Sequence, residues 1–61
     1  MEHIEHNIRK AVFMEFITEE QADEIRQRIQ ELGNIEDMVT RVSHEGIQWK
    51  YDREKRWKTF I

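Results

Sequence analysis

The residues best suited to chemistry lie near the C-terminus, where basic and aromatic side chains are interleaved. Residues 47–61 carry five bases against two acids, together with two tryptophans and one tyrosine. Bases attract phosphates, and aromatic rings stack on nucleobases. This composition suits nucleic acid or a phosphorylated nucleotide. The predicted contacts are Trp49, Lys50, Arg53, Lys55, Arg56, Trp57 and Lys58.

The same stretch has a second interpretation that needs no ligand. Trp49 and Tyr51 alternate with polar residues and share a side with Ile47, which suits three side chains of a core. The bases would then be a solvated rim whose aliphatic stems cover apolar surface. A lone basic stretch is more often such a solvated face than a binding site.

Three histidines are the candidates for a metal site. His3 and His6 are three residues apart beside two glutamates, so on a helix they could share a metal ion. His44 lies in a predicted turn and would have to approach them. Spacing alone selects a metal site weakly, and the alternative is a solvated N-terminus. We therefore expect no metal and no other cofactor.

No pattern in the chain predicts catalysis. Ser43 and His44 are adjacent, and adjacent residues on a turn do not place a hydroxyl against an imidazole as a catalytic triad requires. The chain has no cysteine nucleophile and no glycine-rich phosphate loop. So short a chain also has little volume for a buried pocket. We expect a protein that is not an enzyme.

Length and charge limit the remaining classes. A single domain over residues 1–61 removes only about 60% of its unfolded surface from water, so its core is lean. The absence of cysteine excludes disulfides and leaves oligomerisation as a source of stability. The net charge is −3, and no apolar run approaches the roughly 20 residues that span a bilayer. We expect a cytoplasmic protein that does not contact membranes.

The clearest element that could position these residues is a helix over residues 19–32. Thr18 and Gln21 form a capping box at its start, and Gly33 is suited to the left-handed conformation that ends a helix. Its apolar residues fall on one narrow stripe, enough to cover one face of a small sheet. These are Ala22, Ile25, Ile29 and Leu32.

The segment before this helix is predicted to be a strand over residues 8–17. As a helix it would be apolar on every side towards its end, which fits only a fully buried helix. As a strand it is apolar on both faces in its second half. One helix covers one face, so the other needs a second copy of the chain. The predicted self-association residues are Val12, Phe13, Met14 and Phe16.

Two further strands follow the helix. Residues 37–52 alternate with a period of two on either side of a turn at residues 43–46, which predicts a β-hairpin. Residues 56–61 form either a short last strand or a turn. The predicted fold is α+β in the order β-α-β-β(-β), with one amphipathic helix on one face of a three- to four-stranded sheet.

These patterns favour a small binding protein. The preferred hypothesis is a homodimeric inhibitor, adaptor or sequestering protein with a macromolecular target, of a kind and size common among phage and mobile-element proteins. The alternative is a binder of nucleic acid or a phosphorylated nucleotide through the C-terminal stretch. Homo-oligomerisation belongs to the first hypothesis, and a phosphate-containing ligand belongs to the second.

Overall fold

Two helices pack on one three-stranded antiparallel sheet. A computed structural model describes residues 2–60 of the chain. The elements are α1 (Glu2–Phe13), α2 (Glu19–Leu32), a short 3-10 turn (Ile35–Asp37), β1 (Met38–Ser43), β2 (Gly46–Tyr51) and β3 (Lys58–Thr59). The α+β class is confirmed. The predicted β-α-β-β order is wrong, because a helix takes the place of the first strand.

The strand predicted over residues 8–17 is replaced by α1 and the turn that follows it. Ile4, Ile8 and Ala11 recur at helical spacing and are all buried. The helix ends at Phe13, before the apolar stretch ends. The sequence pattern predicts a strand because the last residues of the helix and the residues beyond its end are both mostly apolar.

The end of α1 is a Schellman turn. Glu15 adopts a left-handed conformation with φ 64°, and its N–H donates to the Val12 carbonyl over 2.9 Å. The Phe16 N–H donates to the Ala11 carbonyl, also over 2.9 Å. These are the two bonds that satisfy the last carbonyls of a helix. The chain therefore turns sharply, and Ile17 returns to the core with 6% exposure.

The helix predicted over residues 19–32 is α2, with the predicted caps. The Thr18 hydroxyl accepts from the Gln21 N–H over 3.1 Å, and the Gln21 side chain accepts from the Thr18 N–H over 2.9 Å. Gly33 has φ 71° and donates its N–H to the Ile29 carbonyl. The apolar stripe faces inward, with Ala22, Ile25 and Ile29 buried.

The predicted hairpin is formed by β1 and β2. Ser43 pairs with Gly46 and Met38 pairs with Tyr51, so the turn falls where the pattern places it. The predicted short last strand is β3, which pairs with β2 through Gln48 and Trp49. Ile61, the last residue of that prediction, lies outside the described residues. The sheet order is β1-β2-β3.

Both helices lie on the same face of the sheet. The Asn7 side chain joins α1 to β1 by donating to the Thr40 hydroxyl over 2.7 Å. The Tyr51 hydroxyl joins β2 to the end of α2 by donating to the Gly33 carbonyl over 3.1 Å. We call this side of the sheet the inner face. The opposite side, which we call the outer face, carries Val39, Arg41 and Ser43 from β1 and Gln48 and Lys50 from β2.

A salt bridge also joins α1 to α2. Arg26 forms a bidentate pair with Glu5, with Nε–Oε1 at 3.1 Å and Nη2–Oε2 at 2.7 Å. Its remaining nitrogen, Nη1, lies 2.9 Å from an Asp23 carboxylate oxygen. Neither described helix has the length and apolar character needed to cross a membrane.

Candidate nucleic-acid interface

The outer face of the sheet carries one aromatic side chain that contacts cations from two strands. Trp57, immediately before β3, has the Arg41 guanidinium carbon 4.2 Å from its ring centroid. The Lys50 ammonium lies 5.4 Å from the same centroid. Arg41 belongs to β1 and Lys50 to β2, so the indole reaches across the sheet. The Arg41 Nε also donates to Gln48 Oε1 over 2.6 Å, which fixes the guanidinium beside the ring.

A basic loop borders this face. Arg53, Lys55 and Arg56 lie between β2 and β3 and are exposed. Within residues 2–60, none of the three forms an ion pair. Their charges are therefore open to an anionic ligand, and a phosphate chain is one that such charges attract.

The loop itself is held by its own hydrogen bonds. The Lys50 ammonium donates to the Glu54 carbonyl over 2.9 Å, and Glu54 Oε1 accepts from the Tyr51 N–H over 2.9 Å. The same oxygen lies 2.6 Å from the Lys58 ammonium. The hydrogen bond from Lys58 and then that from the Tyr51 N–H hold the pKa of Glu54 below its usual value. Lys50 and Lys58 thus position the loop, whereas Arg53, Lys55 and Arg56 remain available to a ligand.

Trp49, which is also predicted as a ligand contact, does not lie on the outer face. It lies on the inner face with 6% exposure. Tyr51 meets it edge-on at 5.5 Å, and Phe60 stacks on it at 5.5 Å. Lys58 lies over the same ring at 4.6 Å. The physical reason is the period of two, which places Trp49 beside Ile47 under the helices, as the second interpretation of the stretch predicts.

The predicted contacts therefore divide into three groups. Trp57 and Lys50 meet on the outer face, Arg53, Lys55 and Arg56 lie in the adjacent loop, and Trp49 and Lys58 lie on the inner side. Sequence reasoning missed Arg41, because it precedes the basic stretch. The alternation in β1 and the hairpin register were enough to place it on the face of Gln48 and Lys50, and that signal could have found it.

The predicted self-association residues also divide. Val12 and Phe16 are half-buried against the core. Phe13 and Met14 are exposed, with 85% and 48% of their surface accessible. The exposed apolar surface expected on a strand lies instead at the end of α1 and the start of the turn that follows it.

The three histidines do not assemble a metal site among the residues that the structure describes. His3 and His6 are exposed on α1, whereas His44 lies in the hairpin turn beside Glu45 at 4.0 Å. No group of three or more metal-ligating side chains is found within the described part of the chain.

No family model, curated protein or solved structure matches the chain.

Proposed function

We propose that the chain binds single-stranded nucleic acid on the outer face of its sheet. The observation that carries this proposal is the Arg41 guanidinium, whose carbon lies 4.2 Å from the Trp57 ring centroid on a face that neither helix covers. Guanidinium planes and indole rings are both surfaces on which unpaired bases stack. Stacking of this kind tolerates any base, because every base has a π-face.

The basic loop supplies the second half of the site. Arg53, Lys55 and Arg56 are exposed at the edge where Trp57 enters the sheet. A strand whose base stacks on Trp57 and Arg41 would bring its neighbouring phosphates to these charges. A duplex keeps its bases stacked inside and so makes less use of an aromatic platform, which favours the single strand.

The charge distribution orients the ligand, even though the net charge is −3. The exposed acids Glu19, Glu20, Asp23 and Glu24 lie on α2, which packs on the inner face. The sheet side is therefore the less negative side of the molecule. Nucleic acid is repelled by the helices and approaches the outer face.

Fluorescence anisotropy of a labelled oligothymidine tests the proposal. We expect saturable binding that weakens with salt, with a log–log slope of about −2 if three phosphates are neutralised on a single strand. A duplex of equal length is expected to bind more weakly. The absence of binding at low salt would rule the proposal out. Binding of a mononucleotide as tight as that of the oligomer would instead favour a phosphorylated nucleotide as ligand.

Two variants locate the site. Trp57→Leu removes the stacking surface, and we expect affinity to fall by about 5- to 150-fold, the range for one stacked base. Arg41→Gln removes a charge and a stacking plane from the same face. Its matched control is Arg28→Gln, which removes the same charge from an exposed position of α2. Equal losses in the two glutamine variants would show that only the net charge matters.

We propose protein binding as a second function, that of the homodimeric inhibitor, adaptor or sequestering protein expected from the sequence. The observation that favours it is Phe13, which is 85% exposed in a chain whose other large apolar residues, Met14 apart, are at least half-buried in the described part. Exposed apolar side chains of this size are suited to protein contacts. The test is cross-linking from the turn at residue 14, with Phe13→Asp as the variant expected to abolish the product.

A further inference from the structure

Phe13 and Met14 are exposed because of how α1 ends. The Schellman turn at Glu15 sends Phe16 and Ile17 back towards the core. Phe13 and Met14, which precede Glu15, stay outside the core. A phenyl ring that stays in water does not gain the free energy of burial. The end of α1 therefore presents an apolar projection with 85% of Phe13 accessible.

A groove lies beside this projection. It has a volume of about 290 Å³ and is lined by Arg9, Val12, Phe13, Glu19 and Arg26. An apolar cavity of about 150 Å³ can hold a benzene molecule, so this groove has room for one phenyl ring. The exposed Phe13 ring and a groove with the volume to bind such a ring therefore lie side by side.

The charges around the groove are self-complementary. Arg26 is neutralised by Glu5 at 2.7 Å and Asp23 at 2.9 Å. Arg9 on α1 and Glu19 on α2 form no ion pair within residues 2–60. One base and one acid, neither in an ion pair, therefore line the same groove.

We infer that the occupant is a second copy of this chain, bound around a two-fold axis at the turn between α1 and α2. Each Phe13 enters the partner copy's groove, and each Arg9 faces the partner copy's Glu19. In a two-fold interface a contact made once is made twice, so one base and one acid give two ion pairs. This inference rests on the second proposed function, and it places the contact between the two copies at this groove.

The interface is small. Its apolar part consists of Phe13 and Met14 from each copy, which places it at the low end of specific interfaces, below about 1,200 Å² in total. The dimer is therefore expected to be weak and concentration-dependent. The outer face of the sheet stays free, so dimerisation and nucleic-acid binding are compatible.

Sedimentation velocity over a concentration series tests the inference. Wild-type protein is expected to shift from monomer to dimer as concentration rises, and Phe13→Asp is expected to stay monomeric. Gln27→Asp is the matched control, because it adds the same charge to an exposed position of α2 outside the groove. A wild-type chain that stays monomeric throughout would overturn the inference.

Charge reversal tests the geometry and does not depend on the apolar residue. Arg9→Glu and Glu19→Arg each place like charges opposite each other in both ion pairs, and each is expected to weaken the dimer by about tenfold. An equimolar mixture of the two variants restores opposite charges at both positions. It is expected to dimerise as well as the wild type, with thermal melts confirming that each variant is folded.

The outcomes separate the possible failures. If either variant alone dimerises like the wild type, or the mixture does not recover, the proposed pairing of Arg9 with Glu19 is wrong. If the chain is monomeric but cross-links to a different protein in a Phe13-dependent manner, the second copy is wrong and protein binding stands. If neither product forms, both fail, and nucleic-acid binding is unaffected.

Discussion

The two tryptophans show how differently the two faces of the sheet use the same side chain. Each has a cation over its ring, Lys58 at 4.6 Å from Trp49 and Arg41 at 4.2 Å from Trp57. Trp49 is also packed by Tyr51 and Phe60 and is 6% exposed. Trp57 is only half-buried, on a face that neither helix covers.

The difference lies in what surrounds each ring, because both cations are exposed. On the inner face the helices exclude water, and the aromatic cluster contributes mainly to stability. On the outer face the ring and guanidinium remain accessible to a ligand. Aromatic residues in a basic stretch therefore indicate binding only when the fold leaves them uncovered.

The largest effect is expected from Trp49→Ala. Truncation of a buried tryptophan costs about 3–5 kcal/mol. The core of so small a chain supplies a similar amount of stability, so we expect the variant to be largely unfolded at 25 °C. Near-UV circular dichroism and urea denaturation measure this. A variant that unfolds at the wild-type urea concentration would show that Trp49 is not a core residue.

A smaller effect on stability is expected from Trp57→Ala. It removes exposed cation–π contacts worth about 0.5–1 kcal/mol each, and the chain should remain folded. A loss of 1 kcal/mol lowers the Tm of a domain of this size by roughly 4–8 °C. Differential scanning calorimetry gives the value. If this variant unfolds as completely as Trp49→Ala, the outer face is a second core and the contrast between the faces fails.

Acid is expected to remove the stabilisation that Glu5 gains from its pairing with Arg26 between the two helices. The hydrogen bond from Arg26 lowers the pKa of Glu5, and burial partly opposes that shift. A lowered pKa stabilises the fold above the unfolded value of 4.5, and this contribution is lost as pH falls through the folded-state value. Glu5→Gln should cost about 0.2–1 kcal/mol at pH 7, because the pair is half-exposed, and progressively less as pH falls through the folded-state pKa of Glu5.

Glu54→Gln is the counterpart on the loop, where the pKa is also lowered. This change frees Lys58 and loosens the loop that carries Arg53, Lys55 and Arg56. We expect it to weaken oligonucleotide binding, whereas Glu5→Gln should leave binding unchanged. Urea denaturation and anisotropy on both variants make the comparison. Equal binding losses in the two would contradict the assignment of the site to the sheet side.

The smallest effect is a gain of stability from Glu15→Gly. Glu15 has φ 64°, a conformation that costs an L-residue roughly 1–2 kcal/mol. Glycine removes that strain but loses about 0.5–1 kcal/mol to greater freedom of the unfolded chain. A net gain of a few tenths to 1 kcal/mol is expected in thermal melts. Gln27→Gly, within α2, should instead destabilise by about 1 kcal/mol.

The sequence by itself determined the elements whose signals are local. The capping box of Thr18 and Gln21, the turn at Gly46 and the alternation through Ile47 and Trp49 are each complete within a few residues. Helix α2 and the hairpin could therefore be predicted with their ends. The same alternation supported a core position for Trp49.

Only the tertiary structure decided the form of the first segment and the contact of Trp57 with the cations of the outer face. Residues 11–17 are apolar except for Glu15, so their periodicity does not show where a helix ends. The return of Ile17 to the core and the turn at Glu15 settle it. Arg41 and Trp57 meet only after three strands are paired, because contacts between segments distant in sequence depend on sheet order, which no local pattern contains.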